Sequence, residues 1–303
     1  MGAQLRAVRR RIRSVQSTMK ITRAMELIAA SQIRRAQSRV RQSRPYAETI
    51  TRAIGDLTGQ AQDLDHPLLE VRENPESAAV LVVTSDRGLA GAYNTNVLRR
   101  TEELIAALNE EGKAPKLYVT GKKAAGYFRF RERPVEQAWA GFSERPSYDH
   151  AKDIADTLIE AFLEREVDEI YGVYTDFVSP LTQRAEARQF IPMIVEEVDI
   201  EEEGPYPLYI FEPSPEEILD VLLPRYIETR VFAALLESAA SEHAARQRAM
   251  KAATDNADEL IKTLTRVANQ ARQAEITTEI MEIVGGAEAL TQAADAAESV
   301  GVS

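Results

Sequence analysis

Between Pro224 and Gly285 the chain passes through no proline and no glycine, and the interval is filled mostly by Ala, Glu, Arg, Leu and Gln, strong helix formers with only scattered Thr and Ser among them. About sixty residues at a rise of about 1.5 Å each predict a helix near 90 Å long, well beyond the ordinary globular length. No compact body made from 303 residues could enclose it. Leu260, Leu264, Val267, Ala271, Ala274 and Met281 step by fours and threes, which predicts the covered stripe. The stretch AASEHAARQRAMKAATDNA offers small side chains that admit a close neighbour.

A natural partner lies at the other end of the chain. Leu5, Val8, Ile12, Val15 and Met19, then Ala29, Ile33, Ala36 and Val40, repeat every three or four residues, as a coiled-coil seam does. The register passes through Thr22 and Glu26, and a second stripe of Ile21, Met25 and Ile28 runs beside it. A helix apolar on more than one face needs company on more than one side. Pro45 is the first breaker after Gly2 and predicts a rod of about 40 residues, near 60 Å. The two terminal rods are expected to pair with each other, antiparallel or parallel.

The net charge of −11 hides an asymmetry. Up to residue 44, Arg6, Arg9, Arg10, Arg11, Arg13, Lys20, Arg23, Arg34, Arg35, Arg39, Arg41 and Arg44 face a single acid, Glu26, whereas Glu196, Glu197, Asp199 and Glu201 to Glu203 form an acidic run. A basic arm on an acidic body suits nucleic acid, an anionic membrane surface or an acidic protein. The absence of cysteine excludes disulfides and thiolate chemistry, and His66, His150 and His243 lack ligand-like spacing. No apolar run reaches the ~20 residues of a membrane span and the N-terminus has no signal-peptide core, so a cytoplasmic type of chain is expected.

The middle has another texture. AAVLVVT, KLYVTG, PVEQAWAG and DEIYGVYTDF read as strands, with NTNVLRRTEELIAALNEEG and SYDHAKDIADTLIEAFLERE as amphipathic helices among them. This alternation predicts a mostly parallel sheet between residues 75 and about 195, with Ser179-Pro180 and EEVDIEEEGPYP in loops and YPLYIFEPS as a last strand. VLVVTSDRGLAGAYNTNVL has the strand, glycine turn and helix of a phosphate cradle. Its spelling fits neither G-x-x-x-x-G-K-[ST] nor G-x-G-x-x-G. A nucleotide-dependent enzyme built here would have to use Asp86, Arg87 and Asp176; a coiled-coil scaffold or nucleic-acid-binding protein would use the basic rod, which lacks interleaved aromatics.

IRSVQSTMKITRAMELIAAS, VTSDRGLAGAYN, RYIETRVFAALLESAASEHAARQRAMKAATDNA and RQAEITTEIMEIVGGAEA stand in this order, and with them the chain resembles the gamma-subunit family of the rotary ATP synthase, in its bacterial form, from about Ala3 to Leu290. Ile276-Thr277, Glu279, Glu282, Gly286-Ala287 and Ala289 match the family's C-terminal signature. The resemblance implies an α+β fold with long helices: an antiparallel coiled coil of the N- and C-terminal helices plus a central Rossmann-like α/β domain. The expected segments are 1–60, 75–210 and 213–290, with 291–303 as a tail beyond the usual family end.

It further implies a central rotor shaft coupling the membrane c-ring to the alpha and beta catalytic head, with the epsilon subunit as another partner. No catalytic site, cofactor, metal or nucleic acid is implied, and the chain would lie peripherally on the cytoplasmic face of the cell membrane. Arg272, Gln273, Thr277 and Glu279 match positions of polar contact with the head, Ile276 and Ile280 fall in the apolar bearing, and Met25 and Arg246 match positions near the beta-subunit levers. Gln32 and Arg23 stand where many relatives have lysine, and Ala90 where many have cysteine. Without the resemblance, Arg272 and Glu279 read as solvated helix charges and Met25 as coiled-coil core.

Overall fold

The computed structural model describes residues 2–60, 66–193, 212 and 214–300. Along these the elements run α1 (Gly2–Gln60), a 3-10 turn (Pro67–Leu69), β1 (Ser77–Val83), α2 (Tyr93–Glu110), β2 (Ala114–Thr120), α3 (Lys122–Phe130), β3 (Gln137–Trp139), α4 (Tyr148–Leu163), β4 (Glu169–Phe177), β5 (Gln183–Ile191) and α5 (Pro215–Val300). They make two compact units, one of Met1–Glu26 with Met250–Ser303 and the other of Leu27–Ala249.

In the larger unit the strands form one sheet in the order β3-β2-β1-β4-β5. The first four are parallel, and β5 returns antiparallel on β4, a hairpin the mostly parallel expectation did not contain. Because side chains alternate across a strand, the apolar run of β1 feeds two cores. Ala78, Val80 and Val82 pack with Val97, Ile105 and Leu108 of α2 and with Ala124 and Phe128 of α3. Ala79, Leu81 and Val83 join Ile154, Leu158 and Phe162 of α4, Ile54 and Leu57 of α1, and Leu223, Ile227 and Val231 of α5. Gly172 in β4 leaves room for the Phe190 ring of β5, since a Cβ there would lie 2.2 Å from Phe190 Cζ.

Pro45 does not end the first helix, which continues to Gln60. Proline removes one backbone donor and costs roughly 3 kcal/mol in a helix interior. Here Pro45 is exposed, and the turns beyond it bury Ile50, Ile54 and Leu57 against the sheet domain, which offsets that cost. Pro224 is likewise carried inside α5, whose neighbours Leu223 and Ile227 are fully buried. Gly285 and Gly286 do not stop α5 either; it extends to Val300 through part of the segment expected as a tail.

Within the larger unit α1 and α5 run antiparallel. Gln32 to Arg39 lie beside Leu236 to His243, while Val40 to Arg52 lie beside Thr229 to Glu237. In the smaller unit, Thr22 Oγ1 of α1 meets Thr254 Oγ1 of α5 at 2.8 Å. Every position of the N-terminal seam from Leu5 to Val40, Thr22 and Glu26 included, is buried or half-buried. The stripe of α5 agrees with expectation at Leu264 and Ala271 and differs at its other positions. The inward residues are Ala257, Ile261, Leu264, Ala268 and Ala271, whereas Leu260, Val267, Ala274 and Met281 are exposed. Ala257 and Ala268 take inward places, while the larger Leu260 and Val267 do not. The acidic run at 196–203, and YPLYIFEPS apart from Glu212 and Ser214, lie outside the described residues.

Candidate functional site

The strand, turn and helix at residues 80–98 do present backbone donors to an anion, and that anion belongs to the chain. Asp86, just past β1, accepts hydrogen bonds from the N–H groups of Lys122 (3.2 Å), Gly141 (2.8 Å) and Ser143 (3.0 Å). Lys122 opens α3, so the carboxylate sits where a bound phosphate would meet a helix N-terminus. The remaining first-turn donors are also taken: Lys123 N–H reaches Ser85 O at 3.1 Å, and Ala124 N–H reaches Thr84 Oγ1 at 2.9 Å. Burial pushes the Asp86 carboxyl up, but the donors around it outweigh this and hold it below the usual carboxylate range.

Two glycines permit this closure. Gly121, the N-cap of α3, has φ 88°, and a Cβ there would lie 2.2 Å from Thr84 O. Gly91 has φ 54°, in the left-handed region where glycine is unstrained, and lies beside Ala249 of α5. Asn94 closes the turn from the other side, its Oδ1 accepting the Ser85 N–H at 3.0 Å.

In an open α/β sheet a nucleotide lies beyond the carboxyl ends of the strands, where the strand order reverses. Between β1 and β4 that space is filled by α5. Ser238 Oγ accepts the Thr175 N–H at 3.2 Å, and Ser241 donates to Thr175 O at 3.3 Å. Ala245 packs against Ala90 and Tyr93. The cavity left among Thr84, Asp86, Tyr93, Gly121, Ser143 and Ser238 is about 10 Å³, less than one water needs in comfort. Arg87 is exposed and pairs with Glu144 at 3.5 Å, while Asp176 hydrogen-bonds Glu237, so the three candidate enzyme residues do not converge.

Arg246 is buried in the larger unit. Its guanidinium contacts Glu242 one turn back at 2.5 Å, Glu144 at 3.4 Å and Gly88 O at 3.4 Å. Burial raises the Glu242 carboxyl and Arg246 opposes that rise. A pair removed from water in this way fixes geometry more than it stabilises. Arg246 thus ties the glycine turn and the 144 loop to α5, a commitment inside the chain that sequence spacing could not reveal.

The other expected contact residues lie in the smaller unit. Arg272, Gln273, Thr277 and Glu279 are exposed on α5, and Thr277 donates back to Gln273 O at 2.9 Å. Ile276, Ile280, Met281, Ile283 and Val284 are exposed with them, Met281 at 69% and Ile283 at 70%. On α1, Met25 is half-buried and Ile21 is 59% exposed. A run of large apolar side chains left in water on one helix marks a surface that something covers. Glu275 and Thr278 are half-buried between these exposed positions, so polar and apolar residues are interleaved around the helix here.

A family model described as ATP synthase matches residues 4–290. The chain is 61% identical over 295 residues to the ATP synthase gamma chain of Acidothermus cellulolyticus, covering 96% of this chain and 98% of that one. It is 56% identical over 306 residues to the ATP synthase gamma chain of Thermobifida fusca, covering 98% and 100%. In fold it is similar, with a TM-score of 0.63 at 20% identity, to a chain in the rotor of the Euglena gracilis mitochondrial ATP synthase, over 91% of this chain and 100% of that one.

Proposed function

This chain belongs to the ATP synthase gamma-chain family, and from that membership we propose that it is the central shaft of a proton-translocating ATP synthase, turning inside a head of alpha and beta subunits and joined below to the epsilon subunit and the c-ring. The observation that carries this reading is the exposed section of α5 from Arg272 to Val284, where Ile276, Ile280, Ile283 and Val284 stand in water beside Arg272, Gln273, Thr277 and Glu279. An isolated chain gains nothing by exposing that surface. A shaft in a greasy bearing needs it.

The mechanism follows from asymmetry. A coiled coil of two unlike helices offers a different face to each of three equivalent catalytic sites, so each shaft angle favours a different set of site conformations. Rotation and site affinity are then linked reciprocally. The isoleucines would slide in an apolar collar, while Arg272, Gln273, Thr277 and Glu279, and Met25 on α1, would make contacts that differ between angles. Arg246 would act at one remove by holding α5 against the glycine turn.

The chain itself would contain no catalytic site. Supporting this, Asp86 and α5 occupy the two places where a nucleotide would be held. No described helix is long and apolar enough to cross a membrane, and the chain would be attached to the cytoplasmic face of the cell membrane through its partners. Co-expression with the alpha and beta subunits tests the assignment. A stable complex that hydrolyses ATP only when this chain is present is expected; a chain that never co-purifies with them would overturn it.

A further inference from the structure

Along one side of the larger unit, α1 and α5 leave a groove of about 480 Å³. Its α1 wall carries Arg44 and Arg52 and its α5 wall carries Arg230. None of the three guanidiniums has a carboxylate within ion-pair distance among the described residues, in contrast to Arg72, Arg225 and Arg246 of the same unit. Arg230 lies 5.9 Å from the Tyr226 ring and 6.0 Å from the Phe190 ring, at the outer range of a cation–π contact.

Two carboxyls share the groove. Glu48 is exposed on α1. Glu237 is largely buried, and burial together with the neighbouring Asp176 pushes its carboxyl up to about 7, against the opposing pull of Arg188 and Arg230. The groove is thus lined by three guanidiniums and two carboxyls, and burial disfavours the charged form of one of the two carboxyls.

We infer that this groove is a docking site for an acidic helical segment of a partner protein, its carboxylates seated on Arg44, Arg52 and Arg230. Spacing decides against a compact anion. Arg44 and Arg52 are eight residues apart on one helix, about 12 Å along its axis, and cannot close on a single phosphate. Acids two turns apart on a helix match that separation. Val40, Ala47 and Ala233 also line the groove, small apolar positions against which a helix could rest. The inference goes beyond the shaft reading and stands on groove residues that this reading does not use.

The test uses the full-length chain and a fluorescent, alanine-rich peptide of about 20 residues carrying glutamates two turns apart, followed by anisotropy. Binding is expected, with no binding of the same peptide carrying glutamines. Arg44→Gln with Arg52→Gln should weaken it about tenfold, as loss of two charge-assisted contacts would, whereas Arg9→Gln with Arg13→Gln should change it less than about threefold. Arg44→Lys with Arg52→Lys, which keeps the charge, should retain most of the affinity and shows that the groove is still formed. Equal loss in the two glutamine pairs would mean diffuse attraction to a basic helix and would overturn the inference, as would no binding by the unaltered chain. Complete competition by inorganic triphosphate at lower concentration than the peptide would also overturn it, in favour of a compact anion site.

Discussion

Replacing Asp86 by alanine strips the acceptor from three backbone N–H groups at once, those of Lys122, Gly141 and Ser143. A hydrogen bond to a charged group contributes about 1.5–3 kcal/mol net. The carboxylate is half-buried, and water can reach the Lys122 and Gly141 donors, so those two contacts count at or below the low end of that range. The carboxylate also faces the first turn of α3, which adds a few tenths of a kcal/mol. Asp86→Ala should cost about 3 kcal/mol in the sheet domain, and Asp86→Asn, which keeps one acceptor oxygen, roughly half of that. The assay is denaturant unfolding followed by fluorescence. Trp139 is the only tryptophan, and its carbonyl accepts the Gly121 N–H beside the site, so the signal reports this region.

The pH dependence of the same variant has a fixed sign. The folded-state carboxyl lies below its ordinary value of 3.8, so its contribution is fully present above that value and is lost as the pH falls through the folded-state value. The gap between the unaltered chain and Asp86→Asn should therefore stay constant above about pH 5 and shrink as the pH falls below about 4. An Asp86→Ala chain that unfolds at the same denaturant concentration as the unaltered chain would refute the reasoning, and so would micromolar ATP binding by the unaltered chain.

Glu237→Gln should stabilise the chain by roughly 3 kcal/mol above about pH 8 and have little effect near pH 5, because a carboxyl raised from 4.5 to about 7 gives stability below the lower value that is lost as pH rises through the higher one; the measurement is unfolding against pH. Gly121→Ala should cost more than about 4 kcal/mol, read as loss of soluble chain or of its cooperative transition, since its Cβ would lie 2.2 Å from Thr84 O on a backbone at φ 88°. In the assembled complex, Arg272→Ala should lower ATP turnover per head with assembly intact, whereas Ile280→Asp should lower the amount of assembled head; normal assembly of the second with normal turnover of the first would end that division of labour.

Much of this architecture is written in periodicities. The seam from Leu5 to Val40 is legible because a spacing of threes and fours admits one inward face, and β1, β2 and β4 because short apolar runs bounded by turns have few other uses. What escaped depends on residues distant in sequence. α3 has a glycine N-cap without a side-chain cap, and its first turn is satisfied by Thr84, Ser85 and Asp86, some 36 to 40 residues away. β5 carries charges at Arg184, Glu186 and Arg188 and is a strand because β4 gives it an antiparallel partner. The α5 stripe is legible at Leu264 and Ala271 but not at Ala257 and Ala268, because hydrophobicity alone ranks Leu260 and Val267 above these alanines.

The candidate site divides in the same way. That Ile276, Ile280 and Arg272 lie on one helix follows from their spacing, and their exposure from the inward positions at Ala271, Glu275 and Thr278, which leave them on the other faces. The burial of Arg246 is visible only once Glu242, Glu144 and the glycine turn are brought together. Asp86, a candidate enzyme residue on sequence grounds, is instead the anion that its own loop would otherwise have to find.

The central claim is that this chain turns. Because it has no cysteine, Phe130→Cys at a fully exposed position of the sheet domain gives a single attachment point for a bead or gold particle, with the alpha and beta head fixed to glass. On adding ATP the particle should rotate continuously in one direction, pausing at three angles per turn to match the three catalytic sites, and should stop when hydrolysis stops. A head that hydrolyses ATP at full rate while a firmly attached particle shows only undirected fluctuation would contradict the shaft assignment.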